Sequence, residues 1–200
     1  MLHLVVGLGN PGPRHARNRH NVGFMVVGAI AEAAGVSFRE KFSGRFTRAN
    51  LEGGDVVLLT PLTFMNRSGE SVAEAAQFFQ VPLERVLVVH DELDLPFGQL
   101  KLKSGGGLAG HNGLRSIAER TGTRDFGRLR VGIGRPEAGS ILDWVLGDFE
   151  AADIEAGAAL PAVLSEATRA VSRVLMDGLP AAMNTVNART KARSGEFDEP

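Results

Sequence analysis

Several apolar runs of this sequence stop at polar side chains that could do chemistry together. LVVGLG ends in Asn10, VVLLTPLTFM leads to Asn66, and VLVVH ends in Asp91. A glycine-rich stretch, SGGGLAG, leads to His111 and Asn112, and His20 opens an apolar-periodic segment. Amide side chains recognise carbonyls and hydroxyls. A neutral His accepts a proton from water near neutral pH, and a carboxylate on its other ring nitrogen fixes the tautomer and stabilises the imidazolium. His20 with Asp91 is the candidate pair. The chain has no Cys, no G-x-S-x-G elbow and no G-x-x-x-x-G-K-[ST] loop, so acyl-enzyme and P-loop mechanisms lack their parts. Water is then the nucleophile of any hydrolysis. General base action contributes roughly 10²–10⁴-fold, which suits an activated bond such as an ester better than a peptide amide.

These residues need a scaffold that gathers strand ends. Short Val/Leu/Ile-rich runs alternate with stretches of helical period, the pattern of an α/β domain. Strands are expected at Leu2–Gly7, Arg45–Leu51, Asp55–Thr60, Val86–His90, Gln99–Lys103 and Arg128–Gly134. Helices are expected from Val22 to Ala33 with Gly35 as the stop, over Ser68–Phe79, and over Asn112–Thr121 with Gly122 as the stop. Glu150–Asp177 also reads as helix, broken or kinked at Pro161, and a short helix follows over Pro180–Arg189. The expectation is one domain, residues 1–191, with a mixed, mostly parallel central sheet flanked by helices on both faces. Residues 192–200 read as a flexible tail with little apolar surface. Ligands of such sheets collect beyond the carboxyl ends of the strands.

Two other site readings compete. Gly7, Gly9 and Gly12 spell G-x-G-x-x-G, a dinucleotide fingerprint. Pro11 and Pro13 remove N–H donors there, no apolar stripe precedes Val22, and Glu32 and Glu52 are poorly spaced for a ribose. The glycines read instead as backbone shaping for a Pro-stiffened turn that presents Asn10, which could be a simple turn residue. In HDELD, Asp91, Glu92 and Asp94 could hold a hard cation, but no second carboxylate cluster or H-x-H spacing supports a metal. Neither a metal nor a cofactor is expected.

The 200 residues are 44% hydrophobic, enough for a core without staples. No secretory leader or membrane span is evident, and with no Cys a cytoplasmic setting fits. The net charge of -1 hides an asymmetry: residues 1–135 hold 17 Lys/Arg against 12 Asp/Glu, and residues 136–200 hold 5 against 11. A basic face on the first two thirds follows.

GLGNPG, RHNVGF, PLTFMNRSGESV, VLVVHDELDLPFGQLKLKSGGGLAGHNGLRSI and FGRLRVGIGRP resemble, in order and spacing, the bacterial type of peptidyl-tRNA hydrolase. The resemblance runs from about residue 2 to about residue 190. It implies a monomeric α/β protein that hydrolyses the ester joining a peptide to the terminal ribose of tRNA. It also implies His20 as base, Asp91 as its carboxylate, and Asn10 as the residue that helps separate blocked from free aminoacyl-tRNA. Phe64, Asn66 and Asn112 fall on substrate-contacting positions, with Met65 and His111 beside them. The sequence departs from the family pattern at His15, where Tyr is usual, and at Leu108 and Ala109, where His and Gly are more usual. With a tRNA substrate, Lys101, Lys103, Arg130 and Arg135 become candidate phosphate contacts. On alternating strand positions Lys101 and Lys103 face one side. The alternative is an RNA-binding relative of the same fold without catalysis, which retention of His20 and Asp91 argues against.

Overall fold

The structure, a computed structural model, describes residues 1–150, 153 and 160–194. Its strands are β1 (His3–Gly7), β2 (Arg39–Lys41), β3 (Gly44–Leu51), β4 (Gly54–Pro61), β5 (Val86–Glu92), β6 (Leu100–Ser104) and β7 (Gly127–Gly132). They form one sheet in the order β2-β3-β4-β1-β5-β7-β6. The pairs β1–β4, β1–β5 and β5–β7 are parallel, and the outer pairs are antiparallel. This is the mixed sheet with a parallel centre that the alternating pattern implies.

Side-chain alternation sorts the core into two layers. Val5, Leu87, Val89, Leu129 and Val131 pack with helices α1 (Val22–Ala33), α5 (Leu160–Asp177) and α6 (Leu179–Ser194). Leu4, Val6, Val86 and Val88 pack on the other face with α2 (Ser68–Phe78) and α3 (Asn112–Thr121). Strands buried on both sides require both layers, which is why β5 is apolar from Val86 to Val89 before its polar carboxyl end.

The opening glycines serve this packing. A Cβ at Gly7 would lie 2.2 Å from the Gly23 carbonyl oxygen, and one at Gly23 would lie 2.4 Å from that of Val89. Glycine at both positions lets α1 rest directly on β1 and β5. The glycine run is followed by a single 3-10 turn, Pro13–His15, rather than by α1, which begins only at Val22, so the helix that a dinucleotide fingerprint needs does not start there.

Local expectations change at several places. β2, with the sequence Arg-Glu-Lys, is exposed throughout and has no apolar signal; it pairs with β3 through a tight turn whose Phe42 and Ser43 both have positive φ. A short helix unseen in the sequence, α4 (Ile141–Leu146), is capped by Ser140, whose hydroxyl accepts from the Asp143 N–H. Pro161 is the second residue of α5 as described, and the residues before Leu160 on which the expected break at Pro161 depends lie outside the described residues. The expected helix start at Glu150 is not observed there, and most of residues 151–159 lie outside the described residues. The last helix runs to Ser194 rather than Arg189, so the expected tail begins inside it, and its remainder, 195–200, lies outside the described residues. No described helix is long and apolar enough to cross a membrane.

Candidate active site

Every residue of β5 is buried, including His90, Asp91 and Glu92 at its carboxyl end. β1 and β7 flank β5 in parallel as far as Val89, β7 continues alongside His90–Glu92, and Asp91 becomes the hub of the site. Its Oδ1 lies 2.8 Å from His20 Nδ1 and 3.0 Å from His111 Nε2. His20 comes from the single turn Arg19–Asn21 just before α1. His111 is the N-cap of α3, its Nδ1 accepting from the Gly113 and Leu114 N–H groups at 3.2 and 3.4 Å. That acceptor role assigns the His111 proton to Nε2, from which it is donated to Asp91.

An ionised carboxylate only accepts, so the His20 proton on Nδ1 is also directed at Asp91, leaving the Nε2 lone pair to face a substrate or a water. Burial alone would raise the Asp91 carboxyl, but the electrostatic attraction of the His111 and His20 rings and the hydrogen bonds they donate outweigh it and hold Asp91 well below the usual carboxylate range. The His20 and His111 rings lie 5.1 Å apart, and His90 meets His111 edge-on at 4.9 Å. Burial pushes the His90 imidazole down to about 3, and its Nδ1–H donates to the Asp91 carbonyl oxygen at 2.7 Å.

His20, Asp91 and His111 also offer three metal-type ligand atoms within 4.8 Å of one another. Their lone pairs do not converge, however: the Nδ1 of His111 is committed to the α3 cap, so its Nε2 carries a proton towards Asp91. The carboxylates of HDELD diverge as well. Glu92 accepts from Arg130 Nε at 2.8 Å and Asp94 from Arg135 Nη2 at 2.7 Å, each away from Asp91's partners.

Asn10 is more than a local turn residue. Its backbone N–H donates to Asn21 Oδ1 and its carbonyl accepts from Asn21 Nδ2, both at 2.9 Å. Its side-chain Oδ1 accepts from the Met65 backbone N–H, also at 2.9 Å. Asn10 thereby ties the first strand end to the turn carrying Phe64, Met65 and Asn66. That turn is joined to α3 by close helix packing: a Cβ at Gly69 would lie 2.1 Å from the Ser116 carbonyl oxygen, and the Gly69 N–H donates to Ser116 Oγ. Met65 is buried, whereas Phe64 is 61% exposed and Asn66 is exposed.

A cavity of about 350 Å³ opens beside the hub, with His20, Asp91, His111 and Asn112 among its walls. Asn112 is exposed, and its Oδ1 accepts from Arg115 at 2.7 Å. Asn10, His15, Phe64, Met65 and Asn66 do not line this cavity. His15 Nδ1 lies 2.8 Å from Asn18 Oδ1 instead. Sequence reasoning missed Asn21, His90 and the residues of α4, of which Ile141, Leu142 and Val145 also line the cavity. Asn21 had a signal, its place directly after His20.

Of the candidate phosphate contacts, Lys101 and Lys103 fall on β6 and Arg130 on β7, while Arg135 follows the end of β7. Lys101 registers with Arg130 and Lys103 with Arg128, so the four cations share one sheet face. Lys101 is exposed and Lys103 half-buried. Arg130 and Arg135 are already engaged by Glu92 and Asp94. Arg128, also missed, is 2% exposed and donates through Nη1 to the Gly107 carbonyl at 2.7 Å. Burial, with Arg130 beside it, pulls its guanidinium below the usual value.

The sequence profile of the family described as Peptidyl-tRNA hydrolase matches residues 4–194. A peptidyl-tRNA hydrolase of Sorangium cellulosum is 52% identical over 98% of this chain and 89% of its own length. One from Frankia casuarinae is 49% identical over 92% and 93%. Among solved structures, the peptidyl-tRNA hydrolase of Acinetobacter baumannii superposes with a TM-score of 0.82 at 40% identity, covering 94% of this chain and 95% of that one.

Proposed function

The chain belongs to the peptidyl-tRNA hydrolase family, and on that premise we propose that His20 is the general base of its reaction. The protein hydrolyses the ester between a peptide, or an N-blocked aminoacyl group, and the 3′-terminal ribose of tRNA, returning tRNA from peptidyl-tRNA released early from ribosomes. The observation that carries the role of His20 is its Nδ1 contact of 2.8 Å with a buried carboxylate, beside an open cavity.

In this reading water bound at His20 Nε2 gives up a proton as it attacks the ester carbonyl, and the new imidazolium is stabilised by Asp91. Water's oxygen bonds to the acyl carbon, and the ribose hydroxyl leaves with the proton returned by His20. His111 shares the Asp91 charge and fixes the carboxylate plane. Asn112, which lines the cavity, contacts the ester end, and Asn10 acts at a distance by holding the turn that carries Asn66 and Phe64, both exposed, for more distant parts of the substrate. Lys101 and Lys103 are the phosphate contacts best supported, since Arg130 and Arg135 must first leave carboxylates. His15 has a smaller part, ordering Asn18. A monomer remains the proposed state, and a substrate made on ribosomes puts the work in the cytoplasm. No cofactor is used.

The test is single-turnover cleavage of N-acetyl-aminoacyl-tRNA against free aminoacyl-tRNA. Rapid cleavage of the blocked ester alone supports the reading. Binding of both without cleavage would oppose it.

A further inference from the structure

The apolar side of the catalytic cavity has no part in the account so far. Ile141 is 46% and Leu142 64% exposed, unusual for large apolar side chains, and both face the cavity that holds His20 and Asp91. Their helix, α4, is tied to the residues just before His20. The Arg19 guanidinium, only 5% exposed as a side chain, stacks 3.8 Å above the Trp144 ring and pairs with Asp153 at 3.2 Å. The Arg19 N–H donates to the Gly147 carbonyl at 2.9 Å, and Asn18 Nδ2 donates to Asp148 at 2.9 Å. A buried cation clasped between an indole face and a carboxylate is a strong anchor for so short a helix.

Resting on the hydrolase reading above, we propose that α4 is a specificity wall: Ile141 and Leu142 receive the apolar side chain of the esterified aminoacyl residue, and Arg19 is the positioning residue that holds them there. Charge decides which half of the substrate meets this wall. Residues 136–150 contain Glu137, Asp143, Asp148 and Glu150 with no Lys or Arg; even with Asp148 and Glu150 paired to Arg17 and Arg19, this side offers phosphates less than the β6–β7 face, where Lys101 and Lys103 stand on one side of the sheet. The nucleotide half belongs on the basic side. The acyl half therefore turns towards α4.

One tRNA body carrying either an N-acetyl-leucyl or an N-acetyl-glycyl ester tests this. Leu142→Ser lowers the leucyl-to-glycyl ratio of kcat/KM about tenfold, the low end of hydrophobic-pocket discrimination. Arg19→Met lowers the same ratio, accompanied by a shift in emission of Trp144, the chain's single Trp. A ratio unchanged in Leu142→Ser, or an equal loss on both esters, overturns the wall while leaving the hydrolase reading intact. Wild type that cleaves neither ester removes both. Because Leu142 is exposed, its variant keeps the test open even where Arg19→Met fails to fold.

Discussion

The Asp91 hub and the β6–β7 face belong to one sheet and solve opposite problems. At the hub, Asp91 is 4% exposed and the hydrogen-bonding partners of His20 Nδ1, of both His111 nitrogens and of Asp91 Oδ1 are identified in the structure. On the basic face, Lys101 is exposed and Lys103 half-exposed, and neither has an ion pair among the described residues. Proton transfer needs one fixed geometry in a low-dielectric place, where each hydrogen bond is stronger and each unpaired group costs more. Polyanion binding draws instead on hydrated, mobile cations that release counterions when they meet phosphates. Rigidity is therefore concentrated where bonds break, and long flexible side chains stand where the substrate is only held.

Substitutions should separate the two regions. Asp91→Asn leaves the shape of the hub but supplies an amide that donates as well as accepts, so the His20 tautomer is no longer fixed. Single-turnover cleavage should fall by up to about 10⁴-fold, as when another His-orienting carboxylate is changed to its amide, with tRNA affinity nearly unchanged. A loss in affinity instead would move Asp91 to the binding side of the comparison.

Acid should weaken the hub next. The folded His90 imidazole is lowered to about 3 by burial, below the ordinary 6.5 of an unfolded chain. The unfolded state thus takes the proton first as pH falls. Stability is complete above about pH 6.5 and drains away as pH drops towards 3. By pH 5 the loss from His90 alone is about 2 kcal/mol. His3, lowered by burial and by Arg85, acts in the same direction. Asp91, also lowered, adds its own loss only below about pH 3.8. Urea titrations at pH 7 and pH 5 measure this, and His90→Gln should flatten the difference. A wild-type protein equally stable at both pH values would contradict the buried, neutral His90.

The smallest effect belongs to the mobile side. Lys103→Glu should weaken tRNA binding by roughly fivefold at moderate salt and reduce the slope of log affinity against log salt by about one contact. The cleavage rate of bound substrate should stay the same. An unchanged slope would remove Lys103 from the interface.

The sequence was legible where one local rule sufficed. Val-rich strands, the Gly122 stop of α3 and the polar groups at strand ends all carry short-range signals, and His20 with Asp91 could be paired on chemistry alone. Other features depended on partners distant in sequence. The exposed Arg39–Lys41 strand exists because β3 offers it an edge, and α4 because Arg19 and Asn18 hold it. The second donor on Asp91 was likewise hidden, since nothing in GHNG shows that the His111 ring turns one nitrogen to its own helix and the other to β5. Arg130 and Arg135 read as free cations only because their Glu92 and Asp94 partners lie far along the chain.

The central claim, that His20 acts on water rather than on tRNA binding, is tested most directly by His20→Ala, with cleavage of N-acetyl-aminoacyl-tRNA and affinity for the same tRNA measured in parallel. The account predicts a rate lower by about 10²–10⁴-fold at an affinity within a few-fold of wild type. A variant that cleaves at the wild-type rate, or that loses activity only in proportion to lost binding, would contradict it.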